Sequence, residues 1–98
     1  MKARHRITIE SRCPVNNDLD RYVCDVYPTR LLFCEKLELV VFKATRGPIT
    51  QEELTQKLAD DLDCMVRTRG QHCQGRVESV VVCRPRPRNE QLNDYEEP

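Results

Sequence analysis

The 98-residue sequence predicts one α+β domain in which two helices lie between two β-hairpins. Three observations predict this fold class. Apolar and polar residues alternate near both ends of the chain, as they do in half-buried strands. A capping box at Thr50 begins a series of leucines spaced four apart, which is typical of an amphipathic helix. Proline and glycine separate these segments, so the predicted order is β-β-α-α-β-β.

The first hairpin is predicted from two segments. Residues 4–11 place Ile7 and Ile9 on one face of a strand, and Pro14 ends it because proline lacks a backbone donor. Residues 21–27 are rich in aromatic and β-branched side chains, which favour a second strand. The residues between them are polar and turn-forming. An antiparallel pair with a wide polar connection is therefore expected.

Residues 31–46 fit two patterns. Leu37, Leu39 and Val41 alternate as they would in a strand. The same segment also carries apolar residues at helical spacing, which are Phe33, Leu37, Val40, Val41 and Ala44. Its length of about 16 residues favours the helix, which the following Gly-Pro pair would end.

The second helix has the clearest local signal. Thr50 is the predicted N-cap, and Glu53 is the residue that reaches back to it. The apolar stripe continues to Met65 or Val66, so we expect a helix of about four turns. This stripe begins with Leu54, Leu58 and Leu62. The polar face is predicted to carry Lys57, Asp60, Asp61 and Asp63.

The C-terminal part returns to strands. Residues 76–83 are rich in valine and predict a strand, with Gln74 and Gly75 forming the turn from a short, polar strand before it. The proline-rich segment that follows cannot pair in the centre of a sheet, because its prolines lack donors. Residues 85–98 are therefore predicted to be a disordered tail, first rich in Pro and Arg and then acidic, and residues 1–84 the single domain.

Charge and hydropathy limit the classes of partner. The chain has 16 basic and 16 acidic residues, so no net field recruits nucleic acid or an anionic membrane. Its apolar runs are far shorter than the ~20 residues of a membrane span. The basic N-terminus lacks the apolar stretch of a signal peptide. We expect a cytoplasmic protein with no membrane partner.

The six cysteines form no C-x-x-C pair, and several lie inside apolar runs. Most are therefore interpreted as packing residues in a reducing compartment. Cys64, His72 and Cys73 are a conceivable zinc-binding combination, but their spacing fits no standard ligand pattern. No metal site is predicted, and His5 and His72 are interpreted as surface residues.

Three short segments carry chemistry-bearing residues. Ser11-Arg12-Cys13-Pro14-Val15 follows the first strand, Asp20 stands seven positions after the cysteine, and Gln51-Glu52 begins the second helix. Taken singly, they can be interpreted as strand-end packing, a turn carboxylate and a first-turn charge. In this order and spacing they resemble the tunnelling-fold (T-fold) family. The greatest similarity is to 7-cyano-7-deazaguanine reductase of queuosine biosynthesis and its short relatives.

The resemblance implies a role for each residue. Cys13 would be the nucleophile that forms a thioimide with the nitrile of 7-cyano-7-deazaguanine, and Asp20 would be the general acid. Glu52, beside Gln51, would bind the ring, because a carboxylate accepts two parallel hydrogen bonds from the N–H edge of a guanine-like ring. Both Gln51 and Glu52 are thus predicted to be substrate-binding residues.

The cofactor segment departs from the family's pattern. The reductase has a Glu-Ser-Lys-Ser motif before its first helix, where this chain offers only Glu35 and Lys36 for binding NADPH. The function that the resemblance favours is reduction of the thioimide by NADPH to 7-aminomethyl-7-deazaguanine. Short archaeal relatives lack the motif and use the same cysteine to convert the nitrile to an amidine with ammonia. A T-fold protein that only binds a purine- or pterin-like ligand, or only assembles, is a third alternative.

The resemblance also implies an assembly. Two hairpins leave the outer strands of a four-stranded sheet unpaired, and such edges are satisfied by pairing with another subunit. T-fold subunits carry both helices on one face of the sheet and form rings with their sites between neighbours. The expected partners are therefore a 7-deazaguanine-type molecule and further copies of the chain, with tRNA as a partner in the amidine-forming alternative.

Overall fold

The chain forms an antiparallel four-stranded sheet with two helices between its second and third strands. The computed structural model describes residues 2–89. Neighbouring strands in the sheet are also neighbours along the chain: β1 (His5–Arg12), β2 (Leu19–Tyr27), β3 (Met65–His72) and β4 (Val77–Cys83). The helices are α1 (Cys34–Ala44) and α2 (Gln51–Leu62). The predicted order of elements is confirmed. Neither helix is long and apolar enough to cross a membrane.

Both helices cover one face of the sheet, as predicted. Ile9 of β1 is the partner of Tyr22 in β2, so these two side chains lie on the same face. Together with one stripe from each helix they form a single core. Its members are Ile9, Tyr22, Cys24, Val26, Leu37, Ala44, Leu54, Leu58, Ala59, Cys64 and Val66. Full burial of a large apolar side chain contributes about 1.5–3 kcal/mol, so this cluster supplies the main stabilisation of the fold.

The junction between α2 and β3 corrects a predicted boundary. The helix was expected to continue through Met65 or Val66, but it ends at Leu62. Asp63 adopts a left-handed conformation with a φ of 53°, which turns the chain away from the helix. Met65 and Val66 therefore begin β3, which is eight residues long rather than a short strand.

Asp60 was predicted to lie on the polar face of α2. This prediction is wrong, because Asp60 is buried. The backbone N–H of Arg86 donates to its Oδ1 at 2.9 Å, and the guanidinium Nε donates to its Oδ2 at 3.0 Å. Burial alone would raise the pKa of Asp60, but the hydrogen bonds from Arg86 and Gln56 outweigh it and hold that pKa below its usual value. These bonds fix the segment after β4 to α2.

A disordered tail was predicted for residues 85–98, and the structure describes only residues 85–89 of it. Arg86 is held by Asp60 and is not simply solvated. Residues 90–98 lie outside the described residues, so the disordered tail stays a prediction.

The sheet face opposite the helices carries a buried carboxylate. Asp25 is 1% exposed and accepts hydrogen bonds from the Arg6 guanidinium at 2.8 and 3.2 Å. Arg67 donates to the same carboxylate at 3.4 Å. The Arg6 hydrogen bonds lower the pKa of Asp25 despite its burial, and the charges of the surrounding arginines lower it further.

Candidate active site

An open groove of about 1050 Å³ lies at one end of the sheet. The connection from β1 to β2 and the turn from β3 to β4 meet there, since β2 begins next to the end of β3. The groove brings together the predicted nucleophile and general acid with residues that were not predicted to be functional. Its lining includes Cys13, Asp18, Asp20, Tyr22, His72 and Cys73.

Cys13 is held at the mouth of the β1–β2 connection. Its N–H donates to Asp18 O at 2.9 Å, and its carbonyl accepts from Asn17 N at 2.8 Å. The neighbouring carbonyl of Arg12 accepts from Ile49 N at 3.0 Å. This bond ties the cysteine segment to the residues just before α2. The Cys13 side chain is half-buried, so the backbone is fixed while the thiol remains accessible.

Asp20 lies on the same face of β2 as Tyr22, two positions along the strand. The Tyr22 hydroxyl donates to Asp20 Oδ2 at 3.2 Å. Burial, together with the charge of Asp20, raises the pKa of Tyr22 to about 12. The phenol therefore stays protonated at neutral pH and acts as a hydrogen-bond donor to the carboxylate.

Gly70 makes room for the Tyr22 ring. The two residues are partners across the β2–β3 ladder. A Cβ at position 70 would stand 2.3 Å from Tyr22 Cδ1, well inside van der Waals contact. The absence of a side chain at Gly70 thus determines where the Tyr22 ring lies, and with it the hydroxyl that contacts Asp20.

His72 lines the groove, and its ring contacts the buried side chain of Gln51, which does not line the groove itself. Gln51 is 3% exposed, and its amide nitrogen donates to Ser79 O at 3.0 Å. Its Oε1 lies 2.9 Å from His72 Nε2. Both ends of this amide are used within the chain, so the structure does not support the predicted direct contact between Gln51 and a ligand. The His72 ring in turn lies 6.2 Å from the Tyr22 ring, centre to centre.

The remaining predicted residues lie outside the groove. Glu52 is exposed in the first turn of α2 and is not among the groove-lining residues. Glu35 and Lys36 are exposed in the first turn of α1, which has no side-chain cap, and they do not line the groove either. A single chain therefore brings together Cys13 and Asp20 but neither the predicted ring-binding carboxylate nor the predicted cofactor residues.

The cysteines fall into two classes. Burial raises the pKa of Cys24 to about 12 and also raises those of Cys64 and Cys83, so these thiols resist ionisation. The accessible thiols are those of Cys13, Cys34 and Cys73. Because thiolates are the reactive form, nucleophilic chemistry is expected at the accessible class.

The zinc combination that the sequence left open does not form. Cys64 precedes the first residue of β3 and His72 is its last, so the eight-residue strand separates them by roughly 25 Å. Among residues 2–89, no group of three His, Cys, Asp or Glu side chains is placed to hold a metal ion.

Tyr22 and His72 are two groove residues that were not predicted from the sequence to belong to the site. Tyr22 follows Asp20 at strand spacing, which is a signal that the two share a face. His72 was interpreted as a surface residue, and it is half-buried at the end of an eight-residue strand that was expected to be short. The alternation from Met65 through His72 could have revealed that strand.

Comparison with known proteins identifies the fold of the chain. No protein-family model matches the chain, and no curated protein matches it. The architecture is that of a T-fold subunit, as predicted. A solved structure similar to it is the crystal structure of the archaeosine synthase QueF-Like in the apo form. The TM-score is 0.69 at 24% sequence identity, and the match covers 88% of this chain and 96% of that chain.

Proposed function

We propose that the protein forms a covalent thioimide between Cys13 and the nitrile of a 7-cyano-7-deazaguanine unit, and that ammonia releases it as an amidine. The observation that carries this proposal is that the accessible Cys13 thiol and Asp20 line the same open groove. The shared fold supports it, because this chain spans nearly all of the archaeosine synthase QueF-Like to which it is similar. Tyr22 adds a neutral donor that orients the carboxylate.

The groove residues can perform each proton transfer. The Cys13 sulfur bonds to the nitrile carbon, and the thiol proton passes through Asp20 to the nitrile nitrogen, which gives a neutral thioimide. Ammonia then adds to the same carbon and the cysteine leaves as a thiolate. The proton that ammonia loses neutralises the thiolate, so the sum is a nitrile plus ammonia giving an amidine.

Reduction by NADPH is the second candidate, and it follows from the family resemblance of the Cys13 segment. It requires two hydride transfers to the former nitrile carbon. It is the less favoured outcome because the solved structure that shares this fold is an archaeosine synthase QueF-Like, and because Glu35 and Lys36, like Glu52, do not line the groove of a single chain. A T-fold protein that binds a purine-like ligand without turnover is the outcome if no covalent bond forms.

The assembly and the partners belong to the same proposal. The outer strands β1 and β4 have no strand partner on their outer sides within residues 2–89, and ring assembly would pair them. We propose that Glu52 acts on the ligand once neighbouring subunits complete the site, because it is exposed near the segment that is tied to Arg12. A nitrile in tRNA and a cytoplasmic location stay predictions.

The test is spectroscopic, and it distinguishes amidine formation, reduction and binding without turnover. The protein is mixed with 7-cyano-7-deazaguanine, and the near-ultraviolet band of a thioimide is recorded before ammonia or NADPH is added. Loss of the band with ammonia and a product with the mass of the amidine would support the proposal. Loss only with NADPH, with the mass of the aminomethyl product, would select reduction. If the free base gives no band, the nitrile nucleoside in tRNA is used, and no band with either substrate would exclude nitrile chemistry.

A further inference from the structure

The orientation of the Gln51 side-chain amide is fixed by its neighbours. Its Nε2 lies 3.0 Å from Ser79 O and 3.4 Å from Thr68 O. Carbonyl oxygens only accept hydrogen bonds, so the amide atom facing them must be the NH₂ group. The other end, Oε1, therefore faces His72.

The surrounding hydroxyls agree with this orientation. Thr55 Oγ1 donates its one proton to Gln51 O at 2.7 Å. Thr55 must then accept from Thr68 Oγ1, which lies 2.6 Å away. Thr68 has no further proton to donate, so it accepts from the Gln51 amide nitrogen at 3.2 Å. Each proton of the network thus has one position.

The network determines the tautomer of His72. Gln51 Oε1 can only accept, so the His72 nitrogen 2.9 Å away, Nε2, must carry a proton. In the neutral imidazole the other nitrogen, Nδ1, then has a free lone pair. Among the residues that the structure describes, no group donates to Nδ1, and His72 lines the groove.

We infer that His72 is a ligand-binding residue whose Nδ1 accepts a hydrogen bond from an N–H group of the ring held in the groove. The inference rests on the proposed function for the identity of that ring, a 7-deazaguanine, which carries N–H donors on both of its fused rings. A ring that presents an acceptor at this point would place two lone pairs against each other. His72 therefore contributes specificity rather than bond formation, which belongs to Cys13.

Two substitutions separate the two nitrogens of His72. His72→Gln places an amide N–H near the former Nε2, so it keeps a donor to Gln51 and loses the acceptor at Nδ1. His72→Asn places an amide oxygen near the former Nδ1 and loses the donor to Gln51. His5→Gln is the matched control, because His5 is the only other histidine and does not line the groove.

Binding is measured apart from bond formation by titrating 7-cyano-7-deazaguanine into the Cys13→Ala protein. We expect His72→Gln to weaken binding about tenfold, the upper range for one hydrogen bond, and His72→Asn to weaken it less. His5→Gln should bind like the parent. Binding by His72→Gln equal to that of the parent would overturn the inference, as would a parent that does not bind.

The covalent reaction distinguishes this inference from the proposed function. With Cys13 intact, His72→Gln should raise the ligand concentration that gives half-maximal adduct formation and leave the rate at saturation unchanged. A fall in the saturating rate without a change in that concentration would overturn the binding role. Ligand binding that depends on His72 but never gives an adduct would refute the proposed function and leave His72 as a binding residue.

The protonation of the two His72 nitrogens can also be measured on the unsubstituted protein, so that this test does not depend on the folding of a variant. The chain has two histidines, so ¹⁵N-histidine labelling gives few signals, and His5 serves as the internal reference. We expect His72 to show an unprotonated Nδ1 whose signal moves when ligand is added. A neutral ring protonated at Nδ1, or an Nδ1 signal that does not move at saturation, would contradict the inference.

Discussion

Two aspartates of strand β2 lie on opposite faces of the sheet and have different neighbours. Asp25 is buried and accepts hydrogen bonds from two arginines. Asp20 is half-buried at the groove, and its carboxylate accepts a hydrogen bond from the neutral Tyr22 hydroxyl. A carboxylate paired with two cations is held in its charged form. The Asp20 carboxylate instead contacts a neutral phenol and faces an open groove.

The comparison shows how one strand holds a paired carboxylate and a groove carboxylate on opposite faces. Alternation along β2 places odd-numbered residues on the open face with the arginines of β1 and β3, and even-numbered residues toward the helices. The carboxylate that is paired with arginines and the proposed general acid therefore do not compete for the same partners. Substitutions at the two positions should affect different measurements.

Asp20→Asn should have the largest effect on rate. The amide keeps the size of the side chain and a contact with Tyr22, but it cannot carry the thiol proton to the nitrile nitrogen. Thioimide formation should slow by about 10²–10⁴-fold, the usual contribution of general acid–base catalysis, with little change in thermal stability. Stopped-flow absorbance would measure it, with Asp61→Asn on the exposed surface of α2 as the control. A rate within threefold of the parent would remove Asp20 from the mechanism.

Asp25→Asn should reverse that pattern. Loss of charge-assisted hydrogen bonds should lower the free energy of unfolding by about 1–3 kcal/mol and leave the rate of adduct formation nearly unchanged. Urea titrations would measure this difference. A slower reaction without a loss of stability would contradict the division between the two aspartates.

The same residue predicts a pH dependence of stability. The folded-state pKa of Asp25 is lowered, so its contribution is fully present above the unfolded-state pKa of about 3.9 and is lost as pH falls through the folded-state value. Unfolding midpoints measured from pH 6 downward should fall less steeply for Asp25→Asn than for the parent. Parallel curves would show that another group is responsible.

The sequence predicted the parts of the site that depend on local structure. Cys13 and Asp20 were related through the spacing they share with the T-fold reductase, and the hairpin register, which brings Ser11 opposite Asp20, places both at the groove. His72 meets Tyr22 only because β2 pairs with β3, across a long insertion of two helices. That pairing became clear only after Asp63 ended α2 and left residues 65–72 as a full strand. Long-range register therefore had to come from the structure.

Gly70→Ala should affect both the fold and the groove. The added methyl group would meet the Tyr22 ring, and relieving this overlap should cost about 1–3 kcal/mol of stability. The displaced ring would also move its hydroxyl away from Asp20. Thermal unfolding and adduct formation should both change, whereas Gly47→Ala, whose Cβ would have open space around it, serves as the control. Unchanged adduct formation would show that the ring position does not matter.

Tyr22→Phe should have the smallest effect. It removes the hydrogen bond to Asp20 and keeps the buried ring, so the reaction should slow by about 3–10-fold. A loss as large as that of Asp20→Asn would indicate that Tyr22 itself transfers the proton.

The most direct measurement of the central claim is the intact mass of the protein after incubation with 7-cyano-7-deazaguanine. The account predicts an increase equal to one ligand, because thiol addition to a nitrile releases nothing. It also predicts that Cys13→Ala abolishes this increase, whereas Cys34→Ala, which removes an accessible thiol outside the groove, retains it. An unchanged mass, or an adduct that persists in Cys13→Ala, would contradict the claim that the groove is a nitrile-converting site.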